Sequence, residues 1–161
     1  MNERELQTTL APVVEALRAA LGEQLIALVL FGSRARAEAD ETSDWDLLLI
    51  AGELPAGRLK RHFALKRALP QDWRGQTALL AKTPAEFEAH LPALYLDIAQ
   101  DGIILYDSQR YAADKLARIR IRQAEAGLQR QRQGDDLIWT WTTPPVGPWR
   151  VEWEGVHGIQ T

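Results

Sequence analysis

Among its 161 residues the chain has no cysteine, which excludes a disulfide framework and a thiolate metal centre. No apolar run approaches the roughly 20 residues that span a bilayer. The start, MNERELQTTLAPVV, lacks the basic region and apolar core of a secretory leader. Together these absences predict a cytoplasmic protein with no membrane association. A Gly-rich loop followed by Lys-Ser or Lys-Thr is also missing, which argues against a P-loop kinase or NTPase. Histidines are few: His90 and His157 stand alone without metal-ligand spacing, and His62 lies among Lys60, Arg61 and Lys66, where a solvated basic face is the default. There is no internal repeat and no low-complexity tract.

Net charge is small as well, at −3, which argues against a whole-protein polyanion binder. The average hides a division. Residues 1–107 carry eleven basic and sixteen acidic side chains, residues 108–134 seven and two, and residues 135–161 one and four. This suggests a core (1–107), a basic helix (108–134) and a Trp-rich tail (135–161). The basic helix lacks the interleaved aromatics of a base-stacking platform, so direct nucleic-acid binding is not expected.

What is present centres on residues 31–50, FGSRARAEADETSDWDLLLI. The run before it, Leu25 to Phe31, has no polar residue and reads as a buried strand. Gly32-Ser33 therefore sits where a strand gives way to a helix. First-turn N–H groups of a helix lack internal partners and, with the positive end of the dipole, suit a phosphate. Ser33 can add a hydroxyl, and Arg34 or Arg36 a cation. After a polar loop, Asp44 and Asp46 open the next strand, two residues apart and so on one face. Two carboxylates placed this way repel each other unless a cation or shared proton intervenes, which suggests Mg²⁺. A phosphate cradle beside a metal mount is what nucleotidyl or phosphoryl transfer requires.

Gly32-Ser33, ten intervening residues and Asp44-Trp45-Asp46 resemble the signature of the polymerase-β nucleotidyltransferase superfamily. Arg36 and Ser43-Asp44-x-Asp46-Leu47 resemble its minimal nucleotidyltransferase branch, over roughly residues 10–107. Two departures stand out. The chain has Ala37 where the branch usually carries glycine, and the third carboxylate that the superfamily supplies from a later strand has no match between Gly75 and Lys82. Asp72, Asp97 and Asp101 are the substitutes on offer. The resemblance implies a small mixed sheet flanked by helices. It also implies Gly32, Ser33, Arg34 and Arg36 as nucleotide-binding residues and Asp44 and Asp46 as catalytic and metal-binding (Mg²⁺ or Mn²⁺). The implied substrate is a nucleoside triphosphate, ATP foremost. Members of the branch are often antitoxins paired with a small helical HEPN-domain toxin, and some adenylylate it. A catalytically degenerate module that only binds such a partner is the alternative.

Around the motif, alternating helices and strands predict an α/β domain. Leu6, Leu10, Val13, Leu17 and Leu21 mark a first helix ending at Gly22, with Pro12 in its first turn or kinking it. Arg58 to Leu69 reads as a helix with Leu59, Phe63, Leu65 and Leu69 as core candidates. Gln76 to Lys82 is the third strand, Thr83-Pro84-Ala85-Glu86 a capped helix start, and Gly102 to Tyr106 the fourth strand. The alternating segments Leu137 to Trp141 and Trp149 to Trp153, joined by a Pro/Gly-rich connection, predict one hairpin with its tryptophans on one face. Residues 108–161 are expected to form an oligomer or partner interface, so that removing 135–161 leaves the domain folded.

Overall fold

Seven residues without a polar side chain, Leu25–Phe31, form β1, and a strand so apolar is stable only when covered on both faces. In the computed structural model, which describes residues 1–158, it is one of the two central strands of a four-stranded sheet ordered β3-β2-β1-β4. β2 (Trp45–Ala51) and β4 (Ile103–Asp107) pair antiparallel with β1, whereas β3 (Thr77–Lys82) runs parallel to β2. The sheet is thus mixed and flanked by helices, as the sequence predicts. Alternate residues build two cores. Leu28, Leu30, Leu47 and Leu49 meet α1 (Glu3–Leu21) and α3 (Arg58–Ala68), while Val29, Leu48 and Ile50 meet α4 (Pro84–Ala89), α5 (Ala93–Asp101) and α6 (Tyr111–Ala126). Among the described residues no helix is long and apolar enough to cross a membrane.

Pro12 does not lie in a first turn. The helix begins nine residues earlier, at Glu3, because Asn2 and Glu5 form a capping box. Pro12 is exposed, and so is Thr8, whose carbonyl loses its partner to the proline and can turn to water. Burial decides the outcome. An internal proline costs about 3 kcal/mol, whereas Leu6, Leu10, Val13 and Leu17 are all buried, at about 1.5–3 kcal/mol each.

In α3 only Leu65 is buried, together with Leu69 just beyond the helix; Leu59 and Phe63 are 72% and 58% exposed. The helix packs beside α1 and enters the core through Leu65 and Leu69, so the other two core candidates are left on the outer side. At the next strand end, Asp107 accepts hydrogen bonds from the N–H groups of Ala112 and Ala113 (2.8 and 2.9 Å) and so caps α6 across an irregular turn.

The C-terminal part departs most from expectation. α6 stops at Ala126, where Gly127 adopts φ +67° and its N–H reaches back to Ala124 and Gln123. The expected continuation of the helix to 134 is instead β5 (Leu128–Gln133), which pairs with β6 (Asp136–Trp141) around Gly134-Asp135. A two-residue turn with glycine at φ +61° closes a hairpin readily, whereas Pro144, Pro145 and Pro148 remove donors from the longer connection. β7 (Trp149–Glu152) accordingly pairs with β8 (Gly155–Gly158), not with β6. Two hairpins replace the one predicted, and the last three positions of the tail lie outside the described residues.

These hairpins pack on the domain. Trp153 is buried against Phe87 (centroids 5.2 Å apart, 64° between planes) and donates from Nε1 to the His90 carbonyl at 2.9 Å. Trp139 donates from Nε1 to Asp97 at 3.0 Å.

Candidate functional site

The end of β1 and the start of β2 lie side by side, with Phe31 opposite Asp46 in the antiparallel register. Gly32 follows with φ +75° and opens α2, a single turn spanning Gly32–Ala35. A Cβ built on Gly32 would lie 2.4 Å from Asp46 Oδ2, inside any permissible contact. Glycine is therefore required twice over, by its backbone angle and by the carboxylate pressed against it. Asp46 is brought to the first turn of α2, where the N–H groups of Ser33 and Arg34 have no helical partner.

Asp46 is half-buried, and burial pushes its carboxyl above the ordinary value of 3.8, reinforced by the charge of Asp44 and opposed by Arg36. Among the described residues neither Asp44 nor Asp46 accepts a hydrogen bond or forms an ion pair. The two carboxylates repel each other, the charge of Asp44 acting on Asp46. No group of three or more metal-ligating side chains occurs among the described residues. The donor set still fits Mg²⁺, which is held by one or two carboxylates and completes its shell with water and substrate phosphates.

The arginines divide. Arg34 lies over Trp45 (4.4 Å from guanidinium carbon to ring centroid) and donates to the Ser43 carbonyl at 2.9 Å, so it ties the polar loop to β2. Its buried Nε has no partner among the described residues. Arg36 is held by two carboxylates, donating from Nε to Glu38 at 3.1 Å and from Nη1 to Asp101 at 3.4 Å. Ser33 Oγ makes no hydrogen bond among the described residues, which leaves it available to a ligand. Ala37 sits at φ +58°, the left-handed region where glycine is the easy choice.

β3 passes beside the site without contributing an acid. In the parallel register Ala78 stands next to Asp46 and Leu80 next to Leu48. The three substitutes lie elsewhere: Asp72 is exposed in a turn before β3, Asp97 and Asp101 on α5 face Arg130 of β5. α5 does fold toward the motif, yet what it brings is a partner for Arg36. Sequence reasoning missed Glu38, Arg130 and Arg132 altogether. The signal available was the Arg-x-Arg alternation of 130–132, hidden by reading that segment as helix.

No protein-family model matches the chain. Over 66 residues it is 42% identical to a protein of Methanocaldococcus jannaschii named "putative protein adenylyltransferase", a match covering 41% of this chain and 45% of that protein. The resemblance in the motif and this relative agree. The match spans less than half the relative's length. Two solved structures are similar in form. A toxin-antitoxin with AMP-PNP aligns over 78% of this chain and 92% of that one, at 19% identity and a TM-score of 0.49. A tri-AMPylated Shewanella oneidensis HEPN toxin in complex with an MNT antitoxin aligns over 77% and 92%, at 16% identity and 0.46.

Proposed function

We propose that this chain is a minimal nucleotidyltransferase that binds a nucleoside triphosphate with Mg²⁺ or Mn²⁺ and transfers the nucleoside monophosphate to an acceptor hydroxyl. The observation that carries the reading is the Asp46 carboxylate seated against the side-chain-free Gly32 at the opening of α2, with Asp44 two residues away. The relative's name supports the same class of chemistry. Gly32, Ser33 and the α2 N–H groups receive the triphosphate, Asp44 and Asp46 hold the metal, and Arg36 meets charge developing on the phosphates. When bound, the ion neutralises phosphate charge and activates the acceptor oxygen. The acceptor oxygen forms a bond to the α-phosphorus, the bond from that phosphorus to the bridging oxygen breaks, pyrophosphate leaves, and the hydroxyl proton passes to solvent. ATP is the triphosphate to test first, and a hydroxyl on a small helical partner of the HEPN type is the acceptor that the family resemblance suggests.

Turnover should be slow. Ala78 stands where a third carboxylate would adjoin Asp46, so the acceptor hydroxyl lacks a dedicated base. The same observation favours the second reading, a partner-binding module that retains nucleotide but not chemistry. Calorimetry with ATP, with and without Mg²⁺, on the native chain and on Asp44→Ala plus Asp46→Ala decides the binding claim. Expected is Mg²⁺-dependent affinity in the native chain alone; equal heats in all four titrations refute it. Transfer from labelled ATP separates the two readings, since accumulating labelled acceptor supports the enzyme and binding without any transfer supports the module.

A further inference from the structure

β5 lies outside the motif, yet two of its side chains reach the carboxylates that hold Arg36. Arg130 and Arg132, two apart on one strand face, each clamp one of them. Arg130 grips Asp101 with both ends of its fork (Nη1 to Oδ2 2.6 Å, Nη2 to Oδ1 2.7 Å) and also reaches Asp97 at 3.2 Å. Arg132 meets the other oxygen of Glu38 at 2.6 Å. Arg36 is thus the meeting point of two relays, Arg130 to Asp101 and Arg132 to Glu38. Both run from the C-terminal hairpin to the mouth of the Gly-Ser turn.

The two relays differ in weight. The Asp101 side chain is 9% exposed and its contact with Arg130 is bidentate, whereas Glu38 and Arg132 are 41% and 47% exposed. Water and salt screen the second pair, and a desolvated fork-to-carboxylate contact is the stronger and more directional of the two. Arg36 uses Nε and one Nη1 hydrogen on these carboxylates. A guanidinium carries five N–H donors, so others stay free for an anion. Its charge already acts on Asp46.

We propose that Arg130 is a positioning residue, which through Asp101 fixes the Arg36 guanidinium across the nucleotide site; the nucleotide role rests on the function proposed above. The hairpin is then part of the site's scaffold. Arg130→Lys is the informative variant, because it keeps the charge beside Asp97 and Asp101 but loses the fork. Arg130→Gln, which leaves Asp97 to Trp139 and Asp101 to Arg36, removes the charge as well as the fork and serves as a folding control.

The experiment uses the full chain with two readouts, the Arg36 Nε–Hε resonance by NMR and Mg²⁺-ATP affinity by calorimetry. In the native chain the Arg36 signal should be resolved and slow to exchange, and in Arg130→Lys it should broaden or exchange fast while the melting transition stays cooperative. Affinity should fall about tenfold, the loss of one charge-assisted hydrogen bond. Adding Arg130→Lys to Arg36→Gln should cost nothing more. An unaltered Arg36 signal in Arg130→Lys overturns the proposal, as does a loss of affinity that persists in the Arg36→Gln background. If the native chain binds no Mg²⁺-ATP while the Arg36 signal responds as expected, the proposed function falls and the clamp stands.

Discussion

At the end of β1, Gly32 lets the half-buried Asp46 carboxylate press against the backbone. A carboxylate whose ionised form is disfavoured by burial and by Asp44 destabilises the folded chain at neutral pH unless a cation joins it. Asp46→Asn keeps the shape and removes the charge. It is expected to raise the melting temperature of the metal-free protein while abolishing Mg²⁺-dependent ATP binding, and a melting temperature that falls would show that Asp46 is held by contacts of its own. Ala37 offers a second test. A non-glycine residue in the left-handed region costs about 1–2 kcal/mol, and glycine's greater freedom in the unfolded chain returns about 0.5–1 kcal/mol of that. Ala37→Gly should therefore stabilise by up to about 1.5 kcal/mol, read from the denaturant midpoint. The left-handed backbone at Ala37 is a conformation that glycine takes without strain, and the sequence alone did not show it.

Elements were legible where one residue type forces one conformation. Thr83-Pro84-Ala85-Glu86 predicts a capped start, and α4 opens on it with Thr83 accepting from the Glu86 N–H and Glu86 from the Thr83 N–H. β1 was legible because nothing in it tolerates water. α1 was misjudged at its start because the position of Pro12 pulls against the cap at Asn2, and only the burial of four side chains settles the contest. β5 was illegible for a different reason: Leu-Gln-Arg-Gln-Arg-Gln has no apolar alternation and is a strand only because Gly127 and Gly134 bound it and β6 pairs with it. The α4 cap makes a pH prediction. Hydrogen bonds from the Thr83 backbone and from Arg61 hold the Glu86 carboxyl down at about 2, from 4.5. A depressed carboxyl contributes stability above its unfolded value and loses it as pH falls through the folded one. Glu86→Gln should thus destabilise at pH 7 by about 0.5–1 kcal/mol, since the group is largely solvated, and the difference from native should shrink between pH 4.5 and about 2. A difference constant across that window would mean that the charge of Glu86 plays no part.

For the whole molecule, the question is whether the C-terminal segment belongs to the fold. Composition suggested a separable surface: four tryptophans, a basic stretch and an acidic tail beyond a domain that looked sufficient by itself. Packing says otherwise. Trp153 fills the core beside Phe87 and Tyr95, Arg122 donates to its carbonyl at 2.8 Å, and Arg120 reaches the Ala99 carbonyl at 3.0 Å. Most arginines of the basic segment thereby serve the chain itself; the exposed apolar remainder of the tail includes Val146 and Trp149. Replacing a buried tryptophan by alanine costs about 3–5 kcal/mol, a large part of the roughly 5–15 kcal/mol that keeps such a domain folded. Trp153→Ala should then lower the unfolding free energy by that amount in a denaturant titration. Truncation after residue 134 also removes β6 and with it the strand that aligns Arg130, so the shortened chain should lose cooperative unfolding altogether. The opposite result, a truncated protein that melts as sharply and as high as the native one, would make the hairpins an appendage and return the tryptophans to the role of a surface for another chain.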